Sequence, residues 1–152
     1  MTIDDIFKAY DVRGKVGTEL TNAIVEKIAK AVADWLPKEG PVAVGRDMRS
    51  DSGELAKAAI KGLVSQGRDA WDIGMVTSDM IYFAVGKYKL AGGLMITASH
   101  NPGEYNGIKF CREEAKPIGL DTGLSVIRDK VKTNEFKNKK NTGQVHSRDV
   151  TE

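Results

Sequence analysis

The sequence has very little cysteine: Cys111 stands alone among 152 residues. Neither an internal disulfide nor a cysteine-built zinc cluster is available to it, and a lone thiol suits a reducing compartment. Aromatics make up 7% and the net charge is only +2. Basic stripes interleaved with aromatics are missing, so no nucleic acid is expected as a partner. No apolar run approaches the length needed to cross a bilayer. The opening "MTIDDIFKAYD" is acidic where a secretory signal would be basic and then apolar. No membrane partner is therefore expected, and the cytoplasm is the default location. What remains is ordinary globular material: 41% hydrophobic, 29% charged, with 16 glycines, enough for one domain with a proper core.

Along the chain, apolar periodicity alternates between helix and strand. The first twenty residues, with "YDVRGKVGTEL", have turn signals and mixed polarity and read as a loop. Thr21 is a candidate N-cap for a helix carrying Ile24, Ile28, Ala31, Val32 and Trp35, which Pro37 and Gly40 end. "PVAVG" at 41–45 suits a buried strand. A second helix follows "RDMRSDSG", with Leu55, Ala59, Leu63 and Val64 on one face and Gly67 as its stop. "DAWDIG" reads as a strand, and "SDMIYFAVGKYKL" as a helix with Met80, Phe83, Ala84 and Tyr88 on its apolar side. "LMIT" and "GIKFC" are two further strands, and "GLDTGLSVIRDKVK" is a short helix. The tail "TNEFKNKKNTGQVHSRDVTE" is poor in apolar residues and is expected to fray or to need a partner.

Such alternation predicts an α/β fold of three layers, α/β/α, around a mixed, mostly parallel sheet. The segment between "LMIT" and "GIKFC" is too short for a crossover helix. Those two strands are expected to pair antiparallel, which gives the sheet one antiparallel strand. There is no internal repeat. The expected division is a domain over residues 1–135 and a tail over 136–152.

The stretch "TASHNPGEYNG" draws attention because ligands of open α/β sheets sit beyond the carboxyl ends of strands. It follows "LMIT" directly and so places Ser99 at that rim. Pro102 pushes Asn101 toward extended backbone, while Gly103 and Gly107 permit sharp turns. A loop shaped this way can hold a hydroxyl still before any substrate arrives. Ser99 would need help to react, and His100, Lys109 and Arg13 are the candidate helpers. Each also has a plainer reading: a turn serine, a loop histidine bonded to backbone or water, a strand lysine facing solvent. The serine lies in A-S-H, not in the G-x-S-x-G elbow of many hydrolases. Asn101 is expected to shape the loop. For Arg46, Asp47 and Arg49 in "GRDMRSDS", ion pairs bracing that loop are favoured over substrate contacts.

Six segments in order, "YDVRG", "VGRDMRSDSGELA", "GLVSQGRDAWDIGMV", "YFAV", "GGLMITASHNPGEYNGIKF" and "PIGLDTGL", resemble the first domain of the α-D-phosphohexomutases, the phosphomannomutase/phosphoglucomutase superfamily. The likeness covers nearly the whole chain, and the serine loop is its most specific motif. "TSDM" at 77–80 departs from a commoner "TP". The resemblance implies phosphoryl transfer between hexose 1-phosphate and 6-phosphate. The serine matching Ser99 is carried as phosphoserine, gives its phosphate to the sugar, and takes back the other from a bisphosphorylated intermediate. Lys109 matches the lysine proposed as general acid/base, a task for which its amine must be partly neutral. Arg13 would offer a guanidinium fork to phosphate, Tyr10 would contact the same region, and His100 would support. The implied Mg²⁺ takes one ligand from phosphorylated Ser99 and the rest from an aspartate-rich loop in a second domain. The implied partners are hexose phosphates, the hexose bisphosphate, and domains two to four of a parent chain. The isolated domain is then expected to be incapable of full turnover. The alternatives are a stand-alone serine hydrolase or phosphatase, and a non-catalytic sugar-phosphate-binding module.

Overall fold

A computed structural model describes residues 2–139 and 141–150. A short 3-10 turn at Ile3–Ile6 leads into strand β1 (Asp11–Lys15), helix α1 (Asn22–Trp35), β2 (Val42–Arg46), α2 (Ser52–Ser65) and β3 (Ala70–Met75). Then come α3 (Ser78–Lys87), β4 (Gly92–Ile96), β5 (Tyr105–Arg112), α4 (Leu124–Thr133) and β6 (Val145–Ser147). The six strands lie in the order β1-β5-β4-β2-β3-β6. β5 runs antiparallel to both its neighbours, while β2 pairs in parallel with β3 and β4, and β3 with β6. This is the expected α/β/α sandwich with one antiparallel strand.

Each layer follows from its residues. Thr21 caps α1, its side chain accepting from the Ile24 N–H at 3.2 Å, which satisfies an otherwise orphaned helix donor. Helices α1, α2 and α4 cover one face of the sheet and enclose Val12, Val44, Leu94, Ile96, Ile108 and Phe110. Gly62 lets α2 approach α1 closely, since a Cβ there would lie 2.3 Å from the Glu26 carbonyl oxygen. Helix α3 covers the other face over Ala43, Met95 and Cys111.

Three sequence expectations need correction. The first is the N-terminal segment: Asp11–Lys15 is an edge strand, not a loop. Only one of its faces meets the core, so Val12 suffices as an apolar anchor and little periodicity shows. The second is the buried side of α3, which is Ile81, Ala84 and Val85. Met80 is only partly buried and Phe83 is 48% exposed, with the Lys87 ammonium 5.3 Å from its ring centre. The third is the tail, where β6 adds to the sheet and Val150 is buried. Backbone bonds hold it rather than an apolar stripe: Gly143 N–H to Val64 O at 2.8 Å, Ala70 N–H to Gln144 O at 2.9 Å, and Arg148 N–H to Asp72 O at 3.0 Å. The part of the fraying expectation that falls on residues 140, 151 and 152 lies outside the described residues.

Cys111 lies in the α3 layer against Gly93, and burial pushes its thiol up to about 12. At pH 8 the thiolate fraction is then about 10⁻⁴. The native chain should resist alkylation by iodoacetamide and react fully once unfolded, as peptide mass spectrometry would record. Because the folded state keeps a proton that the unfolded state releases, this group's contribution to stability falls as pH rises from the ordinary thiol range toward 12.

Candidate active site

The carboxyl ends of β2 and β4 lie side by side, with Arg46 in register with Ile96. The two loops that leave them, residues 47–51 and 97–104, therefore share one rim. The Asp47 N–H donates to the Ile96 carbonyl at 3.0 Å, and the Thr97 N–H donates to Gly107 O at 2.9 Å. Ser99 stands at the tip of the second loop, exposed together with His100. Its φ of 55° is left-handed, a region that costs a residue with a Cβ roughly 1–2 kcal/mol. The Ser99 N–H donates to Thr97 Oγ1 at 3.0 Å, so its backbone is tied down while the residue itself is exposed.

Arg49 carries the loop from behind. Its Nη1 donates to the carbonyls of Pro102 (3.0 Å) and Tyr105 (3.1 Å), and its Nη2 to those of Ser99 (3.1 Å) and Asn101 (2.6 Å). Its Nε lies 3.4 Å from Asp47 Oδ2. The bracing expected of "GRDMRSDS" is thus done by Asp47 and Arg49. Arg46 faces a separate hollow with Asp72 and Arg148.

A second tie sits deeper. Asn106 is fully buried. Its Nδ2 donates to Asp51 Oδ1 at 2.7 Å and to Ser52 Oγ at 2.9 Å, and its Oδ1 accepts from the Gly107 N–H at 2.8 Å. Ser52 Oγ donates in turn to Asp47 Oδ1 at 2.5 Å. Sequence reasoning gave Asn106 and Ser52 no role, and little in the sequence could have: their partners lie 54 residues apart. The one local signal was an asparagine amid strand residues, which strand statistics disfavour.

Next to this rim, β1 and β5 present charge. In their antiparallel register Asp11 faces Lys109 and Arg13 faces Gly107. Val12 and Ile108 turn to the α1 side, so alternation sends Asp11, Arg13 and Lys109 to the opposite face. Gly107 is required there, because a Cβ would lie 2.1 Å from Val12 O and 2.9 Å from Arg13 Cγ. Arg13 Nε pairs with Asp11 at 3.3 Å and the Arg13 side chain is 40% exposed. Lys109 is half-buried. Among the described residues, the side chains of Lys109 and His100 make no hydrogen bond or ion pair.

Arg13 and Asn101 line one hollow of about 430 Å³ with Lys8, Glu19 and Tyr105, and the Val16 N–H joins β1 to the serine loop through Glu104 O at 2.9 Å. Tyr10 is not brought to this hollow. It is 67% exposed and lines another, of about 310 Å³, with Leu120, Asp121 and Thr122. Among the described residues, no three His, Cys, Asp or Glu side chains gather where they could hold a metal ion. An oxygen of exposed Ser99 could serve a cation as one ligand, and the remaining ligands would have to come from elsewhere.

Comparison with known proteins bears on this arrangement. The model of the phosphoglucomutase/phosphomannomutase α/β/α domain I family matches residues 4–138. A phosphohexose mutase of Xanthomonas campestris is 45% identical over 142 residues, covering 93% of this chain and 32% of its own. A phosphomannomutase of Klebsiella pneumoniae is 45% identical over 136 residues, covering 90% of this chain and 86% of its own. The crystal structure of a phosphoglucomutase/phosphomannomutase family protein from Burkholderia thailandensis superposes with a TM-score of 0.88 at 29% identity, over 99% of this chain and 34% of that one. The chain thus spans about a third of the length of most of these relatives. From its motifs, its sheet order and these matches, the chain belongs to the phosphoglucomutase/phosphomannomutase family and has the fold of its domain I.

Proposed function

We propose that the chain is the phosphoserine-bearing first domain of a phosphohexomutase, which interconverts hexose 1-phosphate and hexose 6-phosphate through a bisphosphorylated sugar. One observation carries this reading: Ser99 is exposed on a loop whose backbone is tied down around it. A phosphate carrier needs both properties, reach to the sugar and a fixed start.

In the transfer, the sugar hydroxyl oxygen forms a bond to phosphorus as the bond to Ser99 Oγ breaks. Lys109 takes the hydroxyl proton and hands it to Ser99 Oγ as that oxygen leaves phosphorus. Arg13 supplies charge to the equatorial phosphate oxygens, and His100 can donate to one of them. Tyr10 is assigned to substrate at the rim of its own hollow. Mg²⁺, when bound, offsets charge on the transferring phosphate, with phosphorylated Ser99 as the one ligand from this chain. The substrates are hexose phosphates and the hexose bisphosphate. Residues 1–135 carry the phosphoserine machinery, and 136–152, although β6 returns to the sheet beside β3, lead on toward domains two to four, without which full turnover fails. A cytoplasmic location suits phosphorylated sugars, and no helix among the described residues is long and apolar enough to cross a membrane.

Incubating the full-length enzyme with a hexose 1,6-bisphosphate and mapping peptides by mass spectrometry tests this. Phosphate should appear on the peptide carrying Ser99 and vanish in Ser99→Ala. Phosphate elsewhere with Ser99 bare would overturn it. A sugar phosphate that binds without ever modifying Ser99 would instead favour a non-catalytic binding module. The serine hydrolase alternative gains no support, since Ser99 and His100 share no hydrogen bond among the described residues.

A further inference from the structure

We infer that Arg49 is the positioning residue that holds Ser99 in its left-handed conformation, and that it does so as a carbonyl clamp rather than as a phosphate ligand. The inference rests on the phosphoserine reading for its kinetic consequence, but its structural part stands alone.

A guanidinium has five N–H donors and no acceptor. In Arg49 four of them reach the carbonyls of Ser99, Asn101, Pro102 and Tyr105, and the Nε faces Asp47. No donor is left to offer a phosphate, so binding one would require the loop to be released. The side chain is 16% exposed, consistent with a group facing protein rather than ligand. Asp47 is itself fixed: its Oδ1 accepts from Ser52 Oγ at 2.5 Å and from the Arg49 N–H at 3.1 Å. Ser52 is held by buried Asn106 at the start of β5. The clamp is therefore anchored at both ends of the loop it grips.

The clamp matters because the loop does not favour its own shape. With φ at 55°, Ser99 would relax toward negative φ if nothing opposed it. That rotation would carry its carbonyl away from Arg49 Nη2 and re-aim the Cβ that bears the hydroxyl. Four convergent charge-assisted bonds make the strained conformer the preferred one. Lysine cannot substitute, since a single ammonium does not fork across carbonyls on both sides of the loop.

Two measurements test this in different currencies. Hydrogen exchange of Arg49→Ala should show faster exchange confined to residues 97–107, with β2 and α1 amides unchanged. Unaltered exchange in the loop would overturn the clamp whatever the enzyme does. In the full-length enzyme, Arg49→Ala and Arg49→Lys should both lower kcat by about 10²-fold, with KM for the sugar phosphate changed little, as expected when a reacting group is misplaced. Guanidinium added well below denaturing levels should restore part of the kcat of Arg49→Ala. A rise in KM with kcat intact would make Arg49 a substrate ligand and sink the inference. Altered exchange with an unchanged kcat would leave the clamp standing and count against Ser99 as the phosphate carrier.

Discussion

Ser99→Ala in the full-length enzyme is expected to lower mutase turnover by at least about 10³-fold while leaving the fold intact. The side chain is exposed, and the bonds that tie residue 99 to its neighbours run through its backbone, from its N–H to Thr97 and from its carbonyl to Arg49. Alanine keeps both. Ser99→Gly separates catalysis from stability more sharply. Glycine adopts φ 55° without steric penalty, although it adds entropy to the unfolded chain. The balance should leave Ser99→Gly more stable than Ser99→Ala by about 0.5–1 kcal/mol, with both equally inactive. Coupled-assay kinetics and urea denaturation would check the two halves. A Ser99→Ala enzyme that retained turnover would end the phosphoserine reading, and a less stable glycine variant would remove the strain from the argument.

The second large effect concerns the scaffold. Arg68 is 8% exposed, and its guanidinium closes the end of α1. Nε donates to Ala33 O at 3.0 Å, Nη2 to Leu36 O at 2.9 Å, and Nη1 to Lys38 O at 2.7 Å and Gly40 O at 3.1 Å. The Ala33 carbonyl belongs to the last turn of the helix and has no partner within it. Leu36 leaves helical geometry ahead of Pro37, and Gly40 turns at φ 124°. Burial lowers the Arg68 pKa from its ordinary value, while nearby Glu39 and Asp34 counter that shift. Arg68→Ala would leave several buried carbonyls unmet and should cost about 3–5 kcal/mol. On a chain of this size that corresponds to roughly 10 °C in Tm. Arg68→Lys should recover less than half, because one ammonium cannot span the same carbonyls. Thermal and urea unfolding monitored by circular dichroism would show it, and a loss under about 1 kcal/mol would mean that water replaces the guanidinium.

The parts of this fold legible in the sequence are those in which neighbours along the chain decide the outcome. Thr21 capping α1, Gly67 with φ 86° closing α2, and the strand expected at "LMIT", whose buried residues begin two glycines earlier at Gly92, are local matters of capping, turn chemistry and burial. The antiparallel β4–β5 pair was legible for the same reason, since the short segment between them leaves no room for a crossover. The edge strands β1 and β6 were not, because one-sided burial and backbone pairing leave almost no apolar rhythm to read. The buried stripe of α3 was misassigned because Met80 and Phe83 are apolar enough to suggest a core face while the sheet lies on another side.

The candidate site divides along the same line. The sequence by itself determined the serine loop at the end of β4, its proline and glycines, and the return of Lys109 along the next strand, since each is a short-range consequence of chain order. Only the tertiary structure decided that Arg49 would brace that loop through its backbone carbonyls and not by ion pairing alone, that Asn106 would join it to α2, and that Tyr10 would stand in a different hollow from Arg13. Those contacts join residues some fifty positions apart, and no periodicity or local propensity carries information over that distance. Their partners are chosen by where the sheet brings the strand ends together.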